Sequence, residues 1–148
     1  MKKMILAFAI ALLLIAGCAK KEDQDTLKAR KIIDYHMKEF DSFPLSGSVI
    51  DGTRVIELKG SQYTWEPENI VVNKGDKVRL IVESLDVPHG FEIEGIMIPN
   101  WNPDNLIRKG DKAVLEFTAD SAGMWDTVCT GYCGAGHATM KRKFIVRG

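Results

Sequence analysis

Three textures follow one another along the chain. Behind Met1-Lys2-Lys3, residues Met4 to Gly17 form an unbroken run of small and apolar side chains. After a polar patch from Lys20 to Asp25, apolar residues recur at Leu27, Ile32, Ile33, Met37 and Phe40. That spacing predicts one amphipathic helix over Thr26 to about Asp41, with Asp25 or Thr26 as its N-cap. His36 lies on this helix with no Cys or His near it in sequence and reads as a solvated residue.

From Gly47 onward the pattern becomes short runs rich in Val, Ile, Thr and aromatics, broken by Gly, Asn, Asp and Pro. The runs predict strands at Ser48–Ile50, Arg54–Leu58, Gln62–Trp65, Asn69–Val72, Lys77–Glu83, Gly90–Glu94, Asn105–Ile107, Ala113–Thr118, Gly123–Val128 and Lys143–Val146. Asp51-Gly52 predicts a tight hairpin turn. Lys74-Gly75-Asp76 and Lys109-Gly110-Asp111 predict two similar hairpin corners. Strands spaced about 8–12 residues apart argue for an antiparallel sandwich or Greek-key barrel.

A chain of 148 residues holds one ordinary domain. Lys plus Arg number 20 and Asp plus Glu number 20, so no global field exists to hold nucleic acid. The fourteen-residue apolar run is shorter than the roughly 20 residues needed to span hydrocarbon, and its basic start and small-residue end predict a secretory signal. Its last residues, Ile15-Ala16-Gly17-Cys18, resemble a bacterial lipobox, which implies cleavage before Cys18 and a lipid on that sulfur. The expected organisation is a signal over 1–17, a polar linker and helix over 18–46, and a β-domain over 47–148. The domain is expected to be exported and anchored on the outer side of the bacterial cytoplasmic membrane. Cys129 and Cys133 are then the two thiols left in a compartment where disulfides persist.

The sequence Cys129-Thr130-Gly131-Tyr132-Cys133-Gly134-Ala135-Gly136-His137-Ala138-Thr139-Met140 concentrates thiol, imidazole and thioether donors between two predicted strands. Its three glycines permit close backbone approach, and its donor set suits copper better than hard ions. A mononuclear blue-copper site needs one Cys, two His and a Met. Cys133, His137 and Met140 supply three of these, and His89, set between Pro88 and Gly90, is the remaining candidate. Cys129 is surplus to that scheme. Two thiolates four residues apart are instead able to bridge a pair of copper ions, each taking one imidazole.

At these positions the chain resembles the dinuclear purple copper (CuA) motif of cytochrome c oxidase subunit II, with His89 in the context "DVPHGF" and "YTWEPENIVVNKGDKVRLIVES" similar to the strands before the first His, particularly in the short subunits of B-type oxidases. The resemblance covers about Ser61 to Val146. It implies an all-β, cupredoxin-like Greek-key sandwich or barrel with two copper ions as cofactor. It assigns Cys129 and Cys133 as bridges, His89 and His137 as one ligand for each copper, and Met140 and the carbonyl of Gly131 as weak ligands. It also offers Asp86 and Trp65 as electron-entry residues or supports behind the ligands, with barrel core the alternative for Trp65 and Tyr63.

The implied function is electron transfer, from cytochrome c or another small redox donor to subunit I of a haem-copper oxidase, with the chain itself not catalytic. Two departures stand out. Many family members carry at position 131 a Glu that also helps bind magnesium where the domain meets the catalytic subunit, and Gly131 cannot do so. The family also usually has one or two membrane-spanning helices before the domain, where this chain has a lipoprotein-like signal. A free-standing carrier for another reductase is therefore a second expectation, nitrous-oxide reductase using the same motif. A copper chaperone and a Cys129–Cys133 thiol–disulfide exchanger are others. Lys141-Arg142-Lys143, if on the docking face, would favour an acidic donor.

Overall fold

A computed structural model describes residues 23–29, 31, 38 and 41–148. The signal run, Cys18 and His36 lie outside the described residues. The chain divides into two compact units, Met1–Tyr35 and His36–Gly148. In the first, residues 24–29 are helical. Asp23 caps them: its carboxylate accepts from the backbone N–H and the hydroxyl of Thr26, both at 2.8 Å. The cap thus falls two residues before the earlier of the two expected positions, because a side chain reaches forward to the third residue after it. Among the described residues no helix is long and apolar enough to cross a membrane.

The second unit is a two-sheet β-sandwich. One sheet runs β1 (Ser48–Ile50), β2 (Thr53–Ser61), β5 (Lys77–Ser84) and β7 (Lys112–Thr118), with β3 (Thr64–Glu66) also paired to β2. The other runs β4 (Asn69–Asn73), β9 (Lys141–Arg147), β8 (Gly123–Val128) and β6 (Glu92–Ile93). Alternation decides what faces inward. Arg54, Ile56, Leu58 and Gly60 are buried along β2, and Val78, Leu80, Val82 and Ser84 along β5. Ile70, Val72, Phe144 and Val146 close the core from the second sheet.

Two strand pairs, β2–β5 and β4–β9, are parallel, so the sandwich is not purely antiparallel. The reason is that the chain crosses between sheets. β4 and β5 lie in different sheets, so Lys74–Asp76 is a crossover corner rather than a hairpin, with Gly75 at φ 87°. Lys109–Asp111 likewise joins no hairpin; Gly110, at φ 81°, donates to the Ser84 carbonyl at 2.7 Å. Asp51-Gly52 does make the expected turn, both residues at positive φ, between antiparallel β1 and β2. Asn105–Ile107 forms no strand. Only Ile107 pairs, with His89, through N–H to O distances of 2.8 and 3.0 Å.

Candidate metal centre

The Gly-rich segment is the connection between antiparallel neighbours β8 and β9. Val128 pairs with Lys141, and the Cys129 N–H donates to the Met140 carbonyl at 3.3 Å. The loop therefore leaves and re-enters the sheet at one place, which folds Met140 back beside the cysteines. His89 arrives by a different route. Glu92 on β6 pairs with Val128 on β8, so the residues just before β6 lie alongside those just after β8. Sheet register closes the forty-residue gap between His89 and Cys129.

That approach depends on two glycines. A Cβ on Gly90 would sit 2.0 Å from the Thr130 hydroxyl and 2.8 Å from the Gly131 nitrogen, so the loop backbone occupies the space. A Cβ on Gly131 would sit 2.3 Å from the end of Leu106 and 3.0 Å from the Gly90 nitrogen. Thr130 donates its hydroxyl to the Pro103 carbonyl, which pins the 95–111 segment against the same crossing.

The sulfurs of Cys129 and Cys133 stand 3.9 Å apart as free thiols. A disulfide needs about 2.05 Å. Each sulfur has its own imidazole: Cys129 Sγ lies 3.6 Å from His89 Nδ1, and Cys133 Sγ lies 3.6 Å from His137 Nδ1. Met140 Sδ is 3.8 Å from Cys133 Sγ, and the Gly131 carbonyl accepts from the Cys129 thiol at 3.1 Å. The ligand atoms of His89, Cys129 and Cys133 all fall within 4.8 Å of one another. Bonds of roughly 2.0–2.3 Å to nitrogen and sulfur put neighbouring donors on one ion about 3.3–3.8 Å apart. The observed spacings fit that, and the soft donor set suits copper.

Burial is uneven. His89 and Met140 are fully buried, Cys129 and Cys133 are 6% and 5% exposed, and His137 is half-buried. Burial, then the neighbouring Cys129, pushes the Cys133 thiol from 9.0 up to about 11. A metal arriving there must displace a proton.

Behind His89 stands Asp86. Its carboxylate accepts from His89 Nε2 at 2.8 Å, which holds the proton on that nitrogen and turns the Nδ1 lone pair toward the sulfurs. Burial acts to raise the Asp86 pKa, but the hydrogen bonds from the Gln62 backbone, His89 and the Val87 backbone outweigh it, leaving the carboxyl below its ordinary value. Trp65, only 2% exposed, packs its ring 5.8 Å from that of His89 and edge-on to Phe91. It belongs to the hydrophobic core and forms part of the wall behind His89.

Gln62 carries no signal of its own in the sequence. Its backbone N–H donates to Asp86 Oδ2 at 2.7 Å, and its side-chain amide donates to the Cys133 carbonyl at 2.5 Å. One residue thereby ties the support of His89 to the loop that carries Cys133. The neighbouring Tyr63 fills the space beside Gly134 and Gly136, where any Cβ would meet its ring or hydroxyl within 2.6 Å. Beyond Met140, Arg142 is turned onto Thr64 and Glu68 and Lys143 onto Asp126, while Lys141 is exposed.

No family model matches the chain. A nitrous-oxide reductase of Ralstonia nicotianae is 30% identical over 118 residues, which are 72% of this chain and 18% of that protein. A quinol oxidase subunit 2 of Sulfolobus acidocaldarius is 37% identical over 90 residues, 58% of this chain and 47% of the relative. A cytochrome c oxidase subunit 2 of Thermus thermophilus is 29% identical over 102 residues, 63% and 72%. The chain thus spans about a fifth of the first relative and about half of the second. Among solved structures, a chain from a heme-copper terminal oxidase dimer superposes with a TM-score of 0.54 at 22% identity, covering 98% of both chains. The fold is cupredoxin-like.

Proposed function

We propose that this chain, a relative of the second subunits of cytochrome c and quinol oxidases, is an electron-transfer domain holding two copper ions between His89, Cys129, Cys133, His137, Met140 and the Gly131 carbonyl. The observation that carries this reading is the paired geometry: two free thiols 3.9 Å apart, each with its own imidazole Nδ1 at 3.6 Å. A single blue-copper site has no use for the second thiol and a redox disulfide has none for the imidazoles. Held by these residues, a copper pair would supply one-electron uptake and release.

The chain's own residues do the rest. Asp86 fixes the His89 tautomer, Gln62 and Tyr63 hold the Cys133–His137 turn, and Trp65 and Phe91 exclude water from the His89 side. Little has to move when charge changes in a cage enclosed on so many sides. The proposed setting is the outer face of a bacterial cytoplasmic membrane, with lipid on Cys18, the signal removed at 1–17 and the copper domain beginning near residue 47. The proposed partners are a small donor such as a c-type cytochrome and the catalytic subunit of a heme-copper oxidase.

A second reading, a free-standing carrier, is favoured by Leu106, which lies over Gly131 where the family's Glu would project. The test of the site is the copper content and spectrum of the copper-loaded chain. Two coppers per chain, a purple colour and hyperfine lines from two equivalent metals are expected; one copper with a single-metal pattern sinks the proposal. Recovery of an oxidase catalytic subunit with the chain from solubilised membranes separates oxidase subunit from free carrier.

A further inference from the structure

Between β6 and β7 the chain makes a detour over residues 94–111 that contains no strand or helix. Such a stretch is ordinarily among the more mobile parts of a protein. This one is fastened to the residues that carry His89. Trp101 Nε1 donates to the Phe91 carbonyl at 2.9 Å, and Ile107 and His89 exchange backbone hydrogen bonds at 2.8 and 3.0 Å. Between these ties Asn102 folds the backbone into a turn: its side-chain oxygen accepts from the Asp104 N–H and its carbonyl from the Asn105 N–H, both at 3.0 Å. The turn presents the Pro103 carbonyl to the β8–β9 loop, where the Thr130 hydroxyl donates to it.

Thr130 stands between Cys129 and Gly131, whose carbonyl is one of the proposed copper donors and accepts from the Cys129 thiol at 3.1 Å. A metal that displaces the thiol proton also removes that hydrogen bond. The direction of the carbonyl then depends on how the peptide around it is held. Leu106 and Gly90 hold Gly131 from two sides, since a Cβ there would sit 2.3 Å from a Leu106 methyl and 3.0 Å from the Gly90 nitrogen. Thr130 holds it from a third. We propose that Thr130 is a positioning residue for the copper pair: latched onto Pro103, it fixes the Gly131 carbonyl, and so the strength of one weak donor and the reduction potential of the site. This rests on the electron-transfer reading above. Weak axial donors and the hydrogen bonds behind them are both levers on potential.

The latch needs a hydroxyl on a short side chain, so Thr130→Ser keeps it and Thr130→Val, of the same outline, removes it. Thr130 and Pro103 are both half-buried, so water can replace the lost bond and the fold survives. In copper-free protein the carbonyl-carbon NMR resonances of Pro103 and Gly131 are expected to move together in Thr130→Val and to return in Thr130→Ser. In the loaded protein Thr130→Val is expected to raise the reduction potential, because a weakened oxygen donor stabilises the oxidised pair less. A tenfold change in electron affinity, about 59 mV for one electron, is the expected size. Copper affinity, measured against a chelator, is expected to fall about tenfold. Thr130→Ser should restore both. A lower melting temperature with unchanged potential and affinity marks a merely structural tie and overturns the proposal, as does a serine variant that behaves like the valine one.

Should the valine variant fail to fold, Leu106→Ala carries the test, because that side chain is 54% exposed and opens the grip on Gly131 from outside. It is expected to raise the potential by a smaller factor, and an unchanged potential counts against the proposal. An unaltered chain that takes up no copper pair sinks the electron-transfer reading itself. The latch is then decided on the copper-free resonances: a Gly131 signal that follows Pro103 upholds it, and one that stays in place overturns it whatever the copper result.

Discussion

The two imidazoles of the site sit in opposite surroundings. His89 is fully buried, donates to Asp86, exchanges two backbone hydrogen bonds with Ile107 and lies against Trp65. His137 is half-buried on a short 3-10 turn, His137–Thr139, with no capping side chain, in a loop held from below by Tyr63 and Gln62. The first is built by the sandwich and would stand in place without a metal. The second is held by a loop whose sulfur and imidazole donors converge only because β8 and β9 close its ends. The site thus joins a rigid half that keeps water out to a half that meets the outside.

The strongest way to break the comparison is to remove what the halves share. Cys133→Ser takes away the sulfur nearest both His137 and Met140, and copper content is expected to fall from two per chain to at most one, with loss of the two-metal hyperfine pattern. The asymmetry itself is sharpened by comparing His89→Ala with His137→Ala in copper-free protein. Removing the buried ring leaves a cavity and takes from Asp86 one of its three hydrogen-bond donors, so denaturant melts should show a loss of about 2–4 kcal/mol. The half-buried ring should cost no more than about 0.5 kcal/mol. Equal losses would refute the rigid and adaptable assignment.

Proton release comes next in size. Because the Cys133 thiol is raised to about 11, it is protonated at neutral pH, and copper affinity should climb about tenfold per pH unit for each thiol proton expelled. Competition against a chelator at several pH values measures this. The same shift has a sign for folding. The folded-state pKa is above the ordinary 9.0, so its stability contribution is full below pH 9.0 and is lost as pH rises through about 11. Copper-free protein should therefore melt progressively lower across that window, and Cys133→Ala should flatten the trend.

Asp86 acts in the opposite direction. Its carboxyl is held below its usual value, so its contribution is present above about pH 3.8 and fades as pH falls through the lower folded value. Asp86→Asn should remove that acid dependence from the melting temperature. The smallest expected effect is Gln62→Ala, which unties the Cys133 carbonyl while the alanine N–H keeps the backbone bond to Asp86. A loss of about 1 kcal/mol in copper-free stability is expected, and a shifted reduction potential in the loaded protein would show that the tie also acts on the site.

Much of the domain was legible because its signals are local. Gly123–Val128 matches its strand residue for residue, and the Asp51-Gly52 turn follows from two residues that tolerate positive φ. The donor loop announced itself because four soft donors stand within twelve residues. Asn105–Ile107 had a strand's composition but no neighbouring edge beyond His89, and the two Gly-Asp corners looked like hairpins because a turn motif does not say which sheet the next strand joins. Gln62 gave no sign at all, since its partner on Cys133 lies 71 residues away.

By itself, then, the sequence determined which atoms are available, Cys129, Cys133, His137 and Met140 on one loop and His89 on another, together with the alternation that makes a β-sandwich. Tertiary structure decided that His89 meets the sulfurs, that Gly90 and Gly131 cross without room for a Cβ, and that His137 alone is left near the surface. The division has a physical cause. Donor chemistry and strand alternation are properties of neighbours in the chain, whereas convergence depends on the register of β6 against β8, which only the packed sheets fix.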